Sequence, residues 1–223
     1  MHEYLVEQIN RMLRRSGMYG EVEAALWLAI NHLLFLEGRS GAWKEQTEAW
    51  EAQGLWTSIG VKGAFRAVLP ANRESDNVAS VYAEFARRQG WLRPDRVLDA
   101  GEYAALRDTF REWARHDRVW ADVTAAFGAP SVLFGGTNPL YGKTLAYLTE
   151  DPAEPMVCFH LWNGADPGSE DTWPPSHQEP LLLAVRCGDG DFQDRFTFTP
   201  EGRSRRPEFG CSTCEAIAVA SQA

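Results

Sequence analysis

The stretch Leu181-Leu182-Leu183-Ala184-Val185-Arg186-Cys187-Gly188-Asp189-Gly190-Asp191-Phe192-Gln193-Asp194-Arg195-Phe196-Thr197-Phe198-Thr199 carries the clearest fold signal in the chain. It reads as two β-type runs, Leu181–Cys187 and Phe192–Thr199, joined by a turn whose glycines tolerate positive φ. In the second run Phe192, Phe196 and Phe198 share one face, while Gln193, Arg195, Thr197 and Thr199 share the other. That alternation predicts a strand packed on one side and wet on the other. Upstream, Ser131–Gly135, Thr144–Thr149 and Met156–Trp162 are further short runs separated by turn residues. An antiparallel sheet of about five strands is therefore expected within residues 128–200.

Before Gly128 the period changes from two to nearly four. Tyr4, Leu5, Ile9, Met12 and Leu13 predict a helix over Tyr4–Arg15; Val22, Leu26, Ile30, Leu33 and Leu34 predict a second over Glu21–Glu37, closed by Gly38. Trp43, Trp50 and Trp56 mark one face of a Trp-rich segment from Ser40 to Gly54. Val78, Val81, Tyr82 and Phe85 place a helix over Asp76–Gln89, and Asp99–Phe127 reads as helix with a break near His116-Asp117. The fold class is thus α+β, a helical N-terminal half packed with a C-terminal antiparallel sheet. The divisions are residues 1–127 (mainly helical), 128–200 (antiparallel β, with a long loop at 163–180) and 201–223 (a flexible tail).

Hydrophobic residues make up 44% of the 223 and charged residues 24%, which is ordinary globular usage. No run reaches the roughly 18 apolar residues that span a bilayer; the longest apolar patch, Ala24–Leu36, is interrupted by Asn31 and His32. Met1-His2-Glu3-Tyr4 lacks the basic start of a secretory signal. A soluble, cytoplasmic chain is expected, and four cysteines in a chain of this size do not suggest a disulfide scaffold. The net charge of −9 is unevenly placed: residues 1–127 hold 16 Lys and Arg against 18 Asp and Glu, whereas 128–223 hold 6 against 13. Such a field repels nucleic acid and anionic membrane and attracts a basic partner.

The motifs with chemical meaning fall short of their patterns. Gly136–Thr144 approaches a phosphate-binding loop, but five residues separate Gly136 from Gly142-Lys143-Thr144 where four are needed, and no helix is expected to follow. Cys211 and Cys214 have metal-knuckle spacing without a second ligand pair. Asp189, Asp191 and Asp194 lack the calcium-loop spacing. Arg14-Arg15-Ser16-Gly17-Met18-Tyr19-Gly20 resembles the Arg-Pro-Gly-Met-Tyr-Ile-Gly segment of GHKL-type ATPases over seven residues, without the proline, the isoleucine or the family's other nucleotide motifs, so it implies no function. No cofactor and no metal are expected.

Two functional expectations follow. The first is a non-catalytic acidic protein that captures a basic protein partner, in the manner of bacterial immunity or inhibitor proteins. Its binding element would be the 163–180 loop, with Trp173 as aromatic anchor and Asp166, Glu170, Asp171 and His177 around it. The alternative is a small-molecule enzyme whose pocket lies between the helical half and the sheet, lined by Cys158, His160, His177 and Glu179.

Overall fold

The computed structural model describes residues 1–70, 74–164 and 174–207. Within them the helical periodicities become seven helices before the sheet. α1 (His2–Arg14) buries Val6, Ile9, Met12 and Leu13; α2 (Val22–Leu36) buries Leu26, Ile30, Leu33 and Leu34, the spacing that gathers side chains on one face. α3 (Ala42–Ala52) turns Trp43 and Trp50 onto Tyr82 and Phe85 of α5 (Glu74–Arg88), with ring centroids 5.4–6.4 Å apart. Between them lies a one-turn helix that the sequence pattern did not announce, α4 (Val61–Arg66). Its free N–H groups are satisfied from a distance: Glu23 of α2 accepts from Val61 N at 2.7 Å and from Lys62 N at 3.2 Å. α6 (Ala100–Trp113) starts at a capping box between Asp99 and Glu102, and α7 (Trp120–Phe127) follows a break at 114–119, where His116-Asp117 predicted one.

The sheet is a five-stranded antiparallel meander in sequence order: β1 (Val132–Phe134), β2 (Lys143–Tyr147), β3 (Val157–Trp162), β4 (Leu181–Arg186) and β5 (Phe196–Phe198). Leu145 opposes Phe159, His160 opposes Ala184, and Val185 opposes Thr197. The α+β class holds, with the sheet in the C-terminal half.

The expectation of one dry and one wet face does not hold. α1–α5 cover the face that carries Val132, Phe134, Ala146, Cys158, Trp162 and Leu183. α6 and α7 cover the opposite face, where Leu145, Tyr147, Val157, Phe159 and Val185 meet Tyr103, Leu106, Phe110 and Val123. Every residue of β2 and β3 is buried. The alternation read at Phe192–Thr199 was misleading because Phe192–Arg195 is a 3-10 turn, and only Phe196–Phe198 pair with β4. Helices on both faces make three layers, and one cluster joins residues of both halves of the chain.

After β5 the chain forms α8 (Pro200–Ser204), within the segment read as a tail. Thr199 caps it, accepting from Gly202 N at 3.0 Å while donating to Leu182 O at 2.7 Å. A Cβ on Gly202 would lie 1.8 Å from Leu183 O, so glycine is what lets α8 sit directly on β4. Cys211 and Cys214 lie outside the described residues. Among those described, no helix is long and apolar enough to cross a membrane.

Candidate functional site

A meander sends alternate turns to opposite ends of the sheet. The β2–β3 and β4–β5 turns share one end; the β1–β2 turn and the two ends of the 163–180 loop share the other. The acidic residues of 128–223, read as a single field, are therefore divided. Asp166, Glu170, Asp171 and Trp173 lie outside the described residues.

At the first end, two arginines hold the turns by their backbones. Arg87 of α5 donates to the carbonyls of Glu154 and Thr149, each at 2.7 Å, and to that of Asp151. Arg195 donates to Gly190 O at 2.6 Å and to Gln53 Oε1 at 2.7 Å. The turn carboxylates face solvent: Glu150, Asp151, Asp189, Asp191 and Asp194 are exposed, and none forms a salt bridge with a described residue. Glu154 alone is paired, with Arg107 at 2.9 Å. Beside these turns a groove of about 880 Å³ runs along α6, lined by Asp99, Asp108, Glu150, Asp151 and Glu154 with Arg107 and Arg111. A smaller one of about 320 Å³ opens on the α5 side, past Glu84 and Asp189. Rigid turns presenting exposed carboxylates beside a groove suit the recognition of cationic side chains.

The residues read as an enzyme's lining are spread over different environments: Cys158 lies near the first end, opposite Arg186, His160 lies mid-strand, and His177 and Glu179 lie at the opposite end. Glu179 accepts from Ala121 N at 2.9 Å and so serves the start of α7. His177 lies 6.0 Å from the Trp162 ring, tilted 60° to it, while its backbone is held by Asn163, which also reaches Leu140 O. Cys158 is wholly buried against the guanidinium of Arg186, and burial pushes its thiol up to about 12, which keeps it protonated and a poor nucleophile. His160 borders a void of about 10 Å³ shared with Asp76, Asn77, Lys143 and Trp162, which is room for about one water.

His160 is fixed in one tautomer. Its Nδ1 lies 2.8 Å from Asn77 Oδ1, which also accepts from Thr144 Oγ1 at 2.9 Å. Nδ1 thus carries the proton, and the buried Nε2, with no hydrogen-bond partner among the described residues, turns its lone pair inward. Burial, reinforced by the Arg186 charge, holds this imidazole's pKa well below 6.5, so it is neutral in the folded protein. Below about pH 6.5 the unfolded chain takes up a proton there that the folded chain refuses. Stability is then expected to fall from pH 7 to pH 5, with His160 contributing a slope of up to about 1.4 kcal/mol per pH unit. Urea titrations of wild type and His160→Gln at several pH values check this; equal slopes would refute it.

Between the end of α1, the start of α5 and β1 lies a cleft of about 810 Å³, lined by Arg14, Arg15, Asp76, Asp95 and the Gly135-Gly136-Thr137 backbone. This is a cleft between helices and sheet, but it contains none of the four residues expected there. Its buried Asp76 accepts from Ser16 Oγ and presses on Gly135, where a Cβ would come within 2.6 Å of the carboxylate. Sequence reasoning passed over Asp76, whose only signal was an acid in the first turn of a helix. Lys143, the lysine of the phosphate-loop-like run, donates to Gly136 O and Asn138 O and lies 3.7 Å from the Trp120 ring centroid, so it closes its own turn. Among the described residues no three His, Cys, Asp or Glu side chains are grouped to hold a metal ion. No family model, no curated protein and no solved structure matches this chain.

Proposed function

We propose that this protein is a non-catalytic binding protein that captures a basic protein partner on the acidic end of its sheet. The observation that carries the reading is the set of five exposed carboxylates, Glu150, Asp151, Asp189, Asp191 and Asp194, on two adjacent turns without salt bridges among the described residues. Arg87 and Arg195 feel the charges of Asp151 and Asp189, but their hydrogen bonds go to turn carbonyls. Such a face accelerates encounter with a cationic partner and loses strength as salt screens it. The scattered environments of Cys158, His160, His177 and Glu179 add to the support for binding over catalysis, since acid–base and nucleophilic groups must reach one substrate together.

The test is a pull-down from native extract with wild type and with the triple variant Asp189→Asn, Asp191→Asn, Asp194→Asn. Wild type is expected to retain one basic protein at low salt and release it at high salt. The variant should associate with that protein about tenfold more slowly or worse. Recovery that neither salt nor the variant alters would sink the proposal.

A further inference from the structure

Two buried ring nitrogens of β3, Nε2 of His160 and Nε1 of Trp162, have no hydrogen-bond partner among the described residues. The two residues are alternate positions of one strand, so their side chains leave the same face. Both line the void of about 10 Å³, which Leu69 and Pro70 also line. Both rings are held in place. Asn77 holds His160 through Nδ1, with the Phe65 and Phe196 rings 5.5 and 5.7 Å away. The Trp162 indole has the Arg205 guanidinium 4.3 Å from its ring centroid and the His177 ring at 6.0 Å. The void lies where the strand register changes. β3 and β4 lose step between His160 and Leu161, so Leu183 is an extra residue on β4, and it lines the void as well.

The chemistry of the two atoms selects the occupant. Nε2 offers a lone pair and needs a donor, whereas Nε1 offers an N–H and needs an acceptor. A bare cation cannot accept from Nε1, and a fully deprotonated anion cannot donate to Nε2. The occupant must therefore do both, and the volume limits it to about one water. We propose that this void is a binding site for a single water molecule, which donates to His160 Nε2 and accepts from Trp162 Nε1. Asp76, on the same wall, carries an acceptor for its second hydrogen. Three such bonds are what a buried water ordinarily makes. Burying either ring nitrogen unsatisfied is costly, and one water meets both needs without moving either ring. The site joins two side chains of β3 whose rings are otherwise held by separate neighbours, Asn77 on one side and Arg205 on the other.

A crystal structure of the full chain, at a resolution that shows buried waters, tests this directly. The expected result is one peak of density at hydrogen-bond distance, about 3 Å, from both ring nitrogens. A direct bond from Nε1 to Nε2, a void without density, or density too large for water would each overturn the proposal. Nuclear magnetic resonance gives a second reading in solution. The Trp162 indole N–H should show a nuclear Overhauser cross-peak to water, of the sign of a direct contact and not of exchange. In Trp162→Phe, which removes the donor, the Nε2 resonance of His160 is expected to shift while Nδ1, bonded to Asn77, stays in place. Absence of the cross-peak, or an Nε2 resonance that Trp162→Phe leaves unmoved, would show that no shared molecule links the two rings.

Discussion

Replacing Glu84 by alanine is expected to lower the unfolding free energy by about 3–5 kcal/mol. Arg186 ends β4 with its side chain 2% exposed, buried between the sheet and α5. Glu84 accepts from its Nη1 at 2.6 Å, while Nη2 donates to Ser80 Oγ at 3.0 Å and approaches Cys158 Sγ at 3.4 Å. Burial works against the guanidinium's charge, and Glu84's charge and hydrogen bond together with the neighbouring cysteines outweigh it, so Arg186 stays cationic. Without that carboxylate a full charge is stranded among apolar groups, a loss that Ser80 and a neutral thiol cannot offset. The double variant Glu84→Ala, Arg186→Met should recover most of the stability, because the charge that needed a partner is gone. Urea denaturation of the three proteins decides the matter. If Glu84→Ala costs less than about 1 kcal/mol, the pair behaves as an exposed one and the burial argument fails.

That ion pair shows where sequence reading runs short. Arg186 and Glu84 are about a hundred residues apart, and each is an unremarked charge within its own run. Patterns confined to one element were legible: the apolar spacings of α1, α2, α3 and α5, the glycine at the end of α2, the break between α6 and α7, and the runs that became strands. What remained hidden depends on contacts between elements. α4 forms because Glu23 reaches across to cap it. α8 forms where a run was read as tail, because Thr199 and Gly202 fit it onto β4. The candidate site follows the same rule. Asp189, Asp191 and Asp194 were visible as a turn, but their joining with Glu150 and Asp151 follows from meander topology, and that none of the five forms a salt bridge with a described residue could only be seen in the structure. Cys158 and His160 were visible as neighbours on a strand face, and the burial that keeps one protonated and the other neutral was not.

Phe159→Ala is the change that measures the layer the sequence did not foretell, and it is expected to cost about 3–5 kcal/mol, or roughly 6–20 °C in melting temperature. Phe159 points away from α1–α5 into the second core, where its ring lies 5.2 Å from Phe127, 5.5 Å from Tyr147 and 6.1 Å from Trp113. Its exposure is 0%, so alanine leaves a void ringed by aromatic groups that cannot collapse without moving α6 and α7 together. Both helices cover this face of the sheet, and α7 is only eight residues long. Thr197→Ala on half-buried β5 supplies the contrast and should cost less than about 1 kcal/mol. If the Phe159 loss is as small as that of Thr197, the face under α6 and α7 is open to water and the three-layer packing is wrong. A large loss, with near-ultraviolet circular dichroism changed by the regrouped aromatic rings, is what a core sealed on both sides of the sheet requires.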